Sequence, residues 1–238
     1  VVRGTITPTV STQTTIVPAV PFIISSPENG IFNSAVELEE KITAGQIIGT
    51  VNGKELKSPV DGTITSIAPS NESVPSNYPV AIVHYTGFAL NVEADNFLST
   101  LPEYAELKAK FQVYDGVGPT DMIAVVSPAA DENAFTGIVP QKGILQCLIS
   151  QTVDVKSGQR ATVVITATTR NDILILPLSV IAGRQGTGLV TVITPNGERV
   201  ETKVTLGVTD GANIEILSGL EEGDVVSATP PNLDPRGI

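Results

Sequence analysis

The segment Ser26–Ile31 reads SPENGI and the segment Ser58–Ile64 reads SPVDGTI, so one short pattern occurs twice within residues 23–68. In each copy proline fixes φ ahead of the turn, Asn or Asp tolerates the turn conformation, and glycine takes a positive φ. Between the copies lies Ile42–Ile48, which reads ITAGQII. The pattern predicts an approximate internal repeat of short strands joined by tight turns.

Composition and charge exclude several classes of function. The chain has 238 residues, with 14 Lys and Arg against 25 Asp and Glu, which gives a formal net charge of −11. Phosphate contacts need clustered Lys and Arg, so nucleic acid is not expected as a partner. With one Cys and one His in the chain, an intramolecular disulfide and a multi-Cys or multi-His metal site are excluded. No apolar run is long enough to predict a membrane span.

Strand patterns dominate the sequence. Thr162–Ile165, Ile173–Leu176 and Val190–Ile193 are apolar runs, rich in β-branched residues and bounded by Gly, Pro or Asn. The dipeptides Asn52-Gly53 and Asn196-Gly197 are typical of type I′ hairpin turns, in which both central residues need a positive φ. A mostly β chain is therefore predicted.

Other segments carry weaker signals. Asp95–Leu98 is predicted to cap a short helix that ends near Pro102, and Glu103–Lys110 is a second short helix candidate. The polar segment Ser70–Asn77 is predicted to be a loop or linker. Gly183–Gly188 is rich in glycine but opens no helix, and it is interpreted as a hairpin loop.

The repeated segment resembles a biotinyl/lipoyl-type flattened β-barrel. In that fold a Pro-x-(Asp/Asn)-Gly turn opens each half, and a Gly-Gln strand leads to a hairpin tip, here Val51–Leu56. In carrier domains the tip displays a modified lysine, usually between two methionines. Lys54 lacks such neighbours, and Met122 is the one methionine of the chain. A carrier domain with biotin or lipoate on Lys54 is kept as an alternative, while the leading interpretation needs no cofactor.

Residues 80–182 resemble the β-barrel domain of membrane fusion proteins, the periplasmic adaptor subunits of tripartite efflux pumps and ABC exporters. The matching segments are Ala89–Phe97 (ALNVEADNF), Val155–Val163 (VKSGQRATV) and Asn171–Ile181 (NDILILPLSVI). The last of these is similar to the exit from the barrel in that family.

The C-terminal part is similar to the membrane-proximal domain of the same family. Arg199–Gly207 (RVETKVTLG) leads to Ile214–Val226 (IEILSGLEEGDVV), which indicates two alternating strands followed by a Gly-Leu-x-x-Gly-Asp turn that buries Leu220. In the family the first strand after the membrane anchor completes this domain, and Val1–Ile6 fits that role.

The resemblance implies an elongated chain of four segments. Residues 1–22 would supply N-terminal strands of the membrane-proximal domain, and residues 23–72 a lipoyl-like domain. Residues 73–182 would form a small β-barrel domain with one short helix, and residues 183–238 the membrane-proximal domain.

Family members often insert a long α-helical hairpin between the two lipoyl halves, and its tip meets an outer-membrane duct. Here only Asn52-Gly53 and their neighbours join the halves, so the chain resembles a short form without that hairpin. The resemblance implies a non-catalytic adaptor subunit of a membrane exporter of the ABC efflux type, which docks on its inner-membrane permease outside the cytoplasmic membrane. The setting would be the periplasm or the outer surface of a single-membrane bacterium. Self-association into a ring and a membrane anchor upstream of Val1 are also expected.

No nucleophile elbow, phosphate loop, dinucleotide fingerprint or zinc-protease motif occurs in the sequence, so no catalytic residue and no metal site are predicted. Docking by surface complementarity spreads the function over many residues. The partner-contact candidates are two exposed turns, with Asn52, Gly53 and Lys54 in one and Gly219, Leu220 and Asp224 in the other. A cell-envelope module that binds wall polymer or a substrate directly is a third open function.

The remaining reactive or titratable residues have structural interpretations. Cys147 alternates in register with Leu145 and Ile149, which predicts a buried, inert thiol. His84 lies in a strand-like run and is interpreted as a polar strand residue. Two acidic clusters match no calcium loop and are interpreted as solvated turns; they are Glu37, Glu39 and Glu40, and Glu221, Glu222 and Asp224.

Overall fold

Strands make up most of the regular structure, which confirms the predicted mostly β class. The computed structural model describes residues 1–102, 105–116, 118–129 and 143–231. Within these residues the strands form sheets of six, eleven and four members. Two compact units share them: a terminal unit of Val1–Val10, Asn96–Leu107 and Ile165–Ile238, and a central unit of Ser11–Asp95 and Lys108–Val164.

The six-stranded sheet lies in the terminal unit and has the order β1-β17-β21-β20-β19-β18. Its strands are β1 (Val2–Ile6), β17 (Arg170–Pro177), β18 (Ala182–Gln185), β19 (Thr187–Ile193), β20 (Arg199–Thr209) and β21 (Asn213–Ser218). A 3₁₀ turn, Leu178–Val180, follows β17. One face of the sheet packs on a core whose buried members are Leu176, Val180, Ile181, Val190, Val204, Leu206, Ile214, Ile216 and Leu220.

The eleven-stranded sheet has the order β13-β12-β16-β2-β11-β15-β14-β3-β10-β8-β5. Its strands are β2 (Thr9–Pro18), β3 (Phe22–Ser25), β5 (Lys41–Ile42), β8 (Gly62–Ile67), β10 (Pro79–His84), β11 (Phe88–Glu93), β12 (Leu107–Val113), β13 (Thr120–Asp121), β14 (Ala124–Pro128), β15 (Ile144–Ile149) and β16 (Arg160–Ala167). Strand β13 pairs with β12 at one edge of this sheet, and β14 pairs with β15 further along it.

The four-stranded sheet has the order β7-β6-β4-β9, with β4 (Gly30–Ser34), β6 (Ile47–Val51), β7 (Lys54–Lys57) and β9 (Glu72–Val74). A shift of 32 in residue number carries β3, β4, β5 and β6 onto β7, β8, β9 and β10. Two neighbouring arrangements in the sheets are related by this shift. Adding 32 to β3 and β5 and subtracting 32 from β10 and β8 converts the order β3-β10-β8-β5 into β7-β6-β4-β9. The internal repeat predicted from Ser26–Ile31 and Ser58–Ile64 is thus confirmed, and it extends over residues 22–84.

Side chains obey the same shift. The Asn29 Oδ1 atom accepts a hydrogen bond from the Ser76 amide at 2.8 Å. The Asp61 Oδ1 atom, 32 positions later, accepts one from the Ala44 amide at 2.8 Å. Each half therefore uses its turn carboxyl or amide oxygen to hold the loop that precedes the last strand of the other half.

The observed strands are not grouped by the limits of the predicted segments 1–22 and 23–72. Within residues 1–22, β1 lies in the six-stranded sheet while β2 pairs with β11 in the eleven-stranded sheet. The repeat ends with β10, past residue 72. The division into four segments remains a prediction.

One short helix, α1 (Asp95–Ser99), forms at the first predicted helix position. The second helix candidate, Glu103–Lys110, is wrong where it is described, because Leu107–Val113 forms strand β12. Its sequence LKAKFQV alternates exposed and buried positions, and pairing with neighbouring strands outweighs the helix preference of Lys and Ala. Residues Glu103 and Tyr104 lie outside the described residues.

The predicted linker Ser70–Asn77 is also corrected, since Glu72–Val74 forms β9 and pairs with β4. In the described part of the chain, no helix has both the length and the apolar character needed to cross a membrane.

Candidate functional site

The first contact candidate is the hairpin tip between β6 and β7. Asn52 and Gly53 have φ values of 49° and 84°, and Val51 pairs with Lys54 across the turn. Two positive φ values define the predicted type I′ turn. Asn52, Gly53 and Lys54 are all exposed, as a contact surface requires.

The tip is tied to the opening turn of the first repeat. The Asn52 amide donates to the backbone oxygen of Asn29 at 2.9 Å and to the Glu28 carboxylate at 3.2 Å. Its oxygen accepts from the Ile31 amide at 3.2 Å. Gly30 leaves room for this side chain, because a Cβ there would lie 2.4 Å from the Asn52 Nδ2 atom. The tip is therefore a braced turn.

Lys54 forms an ion pair with Glu28, and its side chain remains 62% exposed. The hydrogen bond from the Lys54 ammonium, followed by that from the Asn52 amide, lowers the pKa of the Glu28 carboxyl. The contacts of Glu28 were not predicted from the sequence, because its partners Asn52 and Lys54 lie 24 and 26 residues away. The local signal for this residue was its place in the SPENG turn. Modification of Lys54 stays a prediction of the carrier alternative.

The second candidate is the turn Gly219–Asp224, in the terminal unit. Gly219 and Gly223 have φ values of 101° and 93°. The Asp224 carboxylate accepts a hydrogen bond from the Glu221 amide at 2.8 Å, which closes the turn. Leu220 is 8% exposed and packs in the core of the terminal unit. Its side chain is thus not available to a partner at the surface, and it holds the turn in place instead.

The first residues of the chain lie against this turn. The Val1 nitrogen donates to the Asp224 backbone oxygen at 2.7 Å, and the Gly223 amide donates to the Val1 oxygen at 3.0 Å. Arg3 forms ion pairs with Glu222 at 3.0 Å and Asp172 at 3.3 Å. Together with the pairing of β1 and β17, these contacts confirm that Val1–Ile6 completes the C-terminal sheet. Glu222 was predicted to lie in a solvated acidic turn, but its ion pair with Arg3 was not predicted, since no local pattern links the two residues.

The other singled-out residues are placed as follows. Cys147 is fully buried in β15, as predicted, and burial raises the pKa of its thiol to about 12. His84 is exposed at the end of β10. Among the described residues, no group of three or more His, Cys, Asp or Glu side chains could hold a metal ion.

The comparisons with known proteins give structural neighbours. No protein-family model and no curated protein matches the chain. Among solved structures, MacA from Actinobacillus actinomycetemcomitans is similar at 14% identity and a TM-score of 0.39, over 95% of this chain and 98% of that one. ZneB from Cupriavidus metallidurans is similar at 12% identity and a TM-score of 0.38, over 98% and 93%.

A MacA–MexA chimera that contains the Pseudomonas aeruginosa MexA α-hairpin domain is similar at 14% identity and a TM-score of 0.37, over 94% and 97%. TM-scores below 0.5 at these identities do not define the function of this chain. The class of protein that the structure defines is therefore that of its fold, a multi-sheet β protein.

Proposed function

We propose that this chain is a non-catalytic adaptor subunit of a membrane exporter, of the ABC type, that docks on the permease outside the cytoplasmic membrane. The observation that carries the proposal is the contact between Val1 and the turn Gly219–Asp224. Any segment that precedes Val1 leaves the terminal unit beside this turn. An anchor in such a segment would therefore bring the turn close to the membrane and to the permease.

The chemistry of the turn suits a docking surface. Glu221 and Glu222 are exposed beside Val225, whose side chain is 58% exposed. A mixed acidic and apolar surface on a braced turn loses little conformational entropy on binding. The matching surface on a permease would offer basic and apolar side chains, and charge complementarity would set the orientation of the complex.

The repeated module supports the second part of the proposal, self-association into a ring around the exit of the transporter. The module ends in the braced tip at Asn52-Gly53, and Lys54 and Glu28 place both charges on its surface. Where two copies meet at this surface, Lys54 of one copy would form an ion pair with Glu28 of its neighbour. Weak contacts of this kind suit a ring that forms only on the transporter.

Site-specific photo-crosslinking in native membranes tests the docking. A photoreactive residue at Glu221 is expected to capture an integral membrane transporter subunit. A matched control at Glu201, also exposed and in the same unit, is expected to give much less of that product. Equal yields from the two positions, or capture of no transporter subunit from Glu221, would contradict the proposal.

The carrier alternative is separated by the intact mass of the protein purified from its native cells. The adaptor proposal predicts that Lys54 is unmodified, so that the measured mass equals the mass calculated from the sequence. An added mass of biotin or lipoate that maps to Lys54 would contradict the adaptor proposal and support the carrier function.

A further inference from the structure

A second surface of the molecule lies on the outer face of three neighbouring strands, β2, β16 and β12, in the central unit. The backbone joins them there, since the Ile16 amide donates to the Gln159 oxygen and the Tyr114 amide donates to the Arg160 oxygen, both at 2.9 Å. Gln13, Thr15, Tyr114, Arg160 and Thr162 line one groove across these strands. We call this surface the Tyr114 groove.

Tyr114 is the most exposed large apolar side chain among the described residues, at 76%. An aromatic ring left in solvent offers a flat apolar face with a polar hydroxyl, and such rings are enriched at binding surfaces.

The polar groups of the groove are available to a ligand. Within the described part of the chain, the structure shows no side-chain hydrogen bond or ion pair for the Arg160 guanidinium or for the Gln13 amide. Both side chains are exposed. The hydroxyls of Thr15 and Thr162 flank them and can donate or accept.

The charge of the molecule makes Arg160 informative. Acidic residues outnumber basic ones in this chain by 25 to 14, so its net charge is unfavourable for anions as a whole. An exposed arginine without a carboxylate partner therefore marks a place where an anion can approach. The planar guanidinium binds carboxylates in bidentate geometry.

We propose that the Tyr114 groove binds an acidic glycan. The apolar C–H face of one sugar ring would stack on Tyr114, and a carboxylate of the glycan would pair with Arg160. The remaining sugar hydroxyls would bond to Gln13, Thr15 and Thr162. The proposal is independent of docking on a permease, because it uses a different surface and a different partner.

Binding of a tetramer of galacturonic acid to the full chain, measured by calorimetry, tests the proposal, with a neutral galactose tetramer as the comparison. We expect saturable binding of the acidic tetramer and at least tenfold weaker binding of the neutral one. Arg160→Gln and Tyr114→Ala are each expected to weaken binding at least fivefold. Tyr114→Phe keeps the ring and is expected to stay within twofold of the original chain.

Lys41→Gln is the matched control, because it removes an exposed cation from the central unit outside the groove. Binding of the acidic tetramer by this variant is expected to stay within twofold. The proposal is overturned by the absence of saturable binding at millimolar tetramer, by equal binding of both tetramers, or by equal losses in Arg160→Gln and Lys41→Gln. Preferential binding of phosphatidylglycerol vesicles by the same residues would also overturn it. Thermal unfolding of each variant verifies that a loss of binding occurs in folded protein.

Discussion

Ser26 and Ser58 make the same hydrogen bond at the same place in the two halves of the repeat. The Ser26 hydroxyl donates to the backbone oxygen of Glu28 at 2.5 Å, and the Ser58 hydroxyl donates to the backbone oxygen of Val60 at 2.6 Å. Both serines are buried, at 0% and 1% exposure. Each buried hydroxyl therefore has a hydrogen-bond partner, and its hydrogen bond stabilises a Ser-Pro turn.

Replacement of either serine by alanine removes a buried hydrogen bond. Ser26→Ala and Ser58→Ala are each expected to lower the free energy of unfolding by about 1–3 kcal/mol, by similar amounts, in urea unfolding. Ser73→Ala is the control, since Ser73 is exposed on β9, and it should change stability by less than about 0.5 kcal/mol. A large loss in only one of the two buried variants would contradict their equivalence.

The two glycines of the terminal turn differ in what surrounds them. A Cβ at Gly219 would lie 2.4 Å from the Lys203 backbone oxygen, whereas a Cβ at Gly223 would meet nothing within 4 Å. Both residues have a positive φ, so alanine is strained at either position, by about 1–2 kcal/mol. Gly219→Ala is expected to be more destabilising than Gly223→Ala, because the backbone must also shift. Thermal unfolding of both variants measures the difference, and equal losses would refute the steric argument.

The ion pair between Glu28 and Lys54 predicts a pH dependence at the hairpin tip. The pKa of Glu28 is lowered in the folded chain, so its stabilising interaction is complete above the ordinary carboxyl pKa of about 4.3. The interaction is lost as the pH falls through the lower, folded-state pKa. A carbon-13 NMR titration of the Glu28 carboxyl is expected to give a midpoint below the ordinary value.

Lys54→Gln is expected to raise that midpoint, because it removes the main cause of the shift. Lys57→Gln is the matched control, since Lys57 pairs with Glu55 instead, and the Glu28 midpoint should stay where it was. An unchanged midpoint in Lys54→Gln would show that the pair does not form in solution.

Cys147 predicts slow thiol chemistry in the folded state. Burial raises the pKa of its thiol to about 12, while an unfolded cysteine has a pKa of about 8.5. An aromatic disulfide reagent at pH 8 is expected to react on the order of 100-fold more slowly with folded protein than with protein unfolded in urea. Similar rates in the two states would contradict the burial of this residue.

The same shift has a consequence for stability. The thiol stays protonated in the folded chain, so its contribution is complete below pH 8.5, roughly the unfolded value. It is lost as the pH rises toward the folded value of about 12, because the unfolded chain releases its proton first. Cys147→Ala should remove this part of the alkaline decline in the free energy of unfolding.

Local patterns were enough to predict much of the fold. The runs Thr162–Ile165, Ile173–Leu176 and Val190–Ile193 lie in β16, β17 and β19. Asn52-Gly53 forms the predicted turn because two neighbouring residues determine it. At Asn196-Gly197 the chain also turns, but with a positive φ at Gly197, whose amide donates to Thr194; this is a hairpin turn of another type.

Local patterns do not predict contacts between residues that are far apart in the sequence. The helix candidate Glu103–Lys110 includes the first residues of β12, which form a strand because they pair with neighbouring strands that a local pattern does not reveal. Arg3 and Glu222 are separated by 219 positions, and only the folded sheet brings them together. The candidate tips were predicted as exposed turns, whereas the pairs that brace them, Glu28 with Lys54 and Arg3 with Glu222, required the structure.

The shift of 32 residues that interchanges the two four-stranded arrangements has a consequence for ancestry and design. A module with this property has the topology of a two-fold homodimer whose subunits have been fused into one polypeptide. Each half supplies strands to both layers, so neither layer can assemble from one half alone. Cutting the chain at Asn52-Gly53 should therefore give two fragments that recover the native fold as a complemented pair.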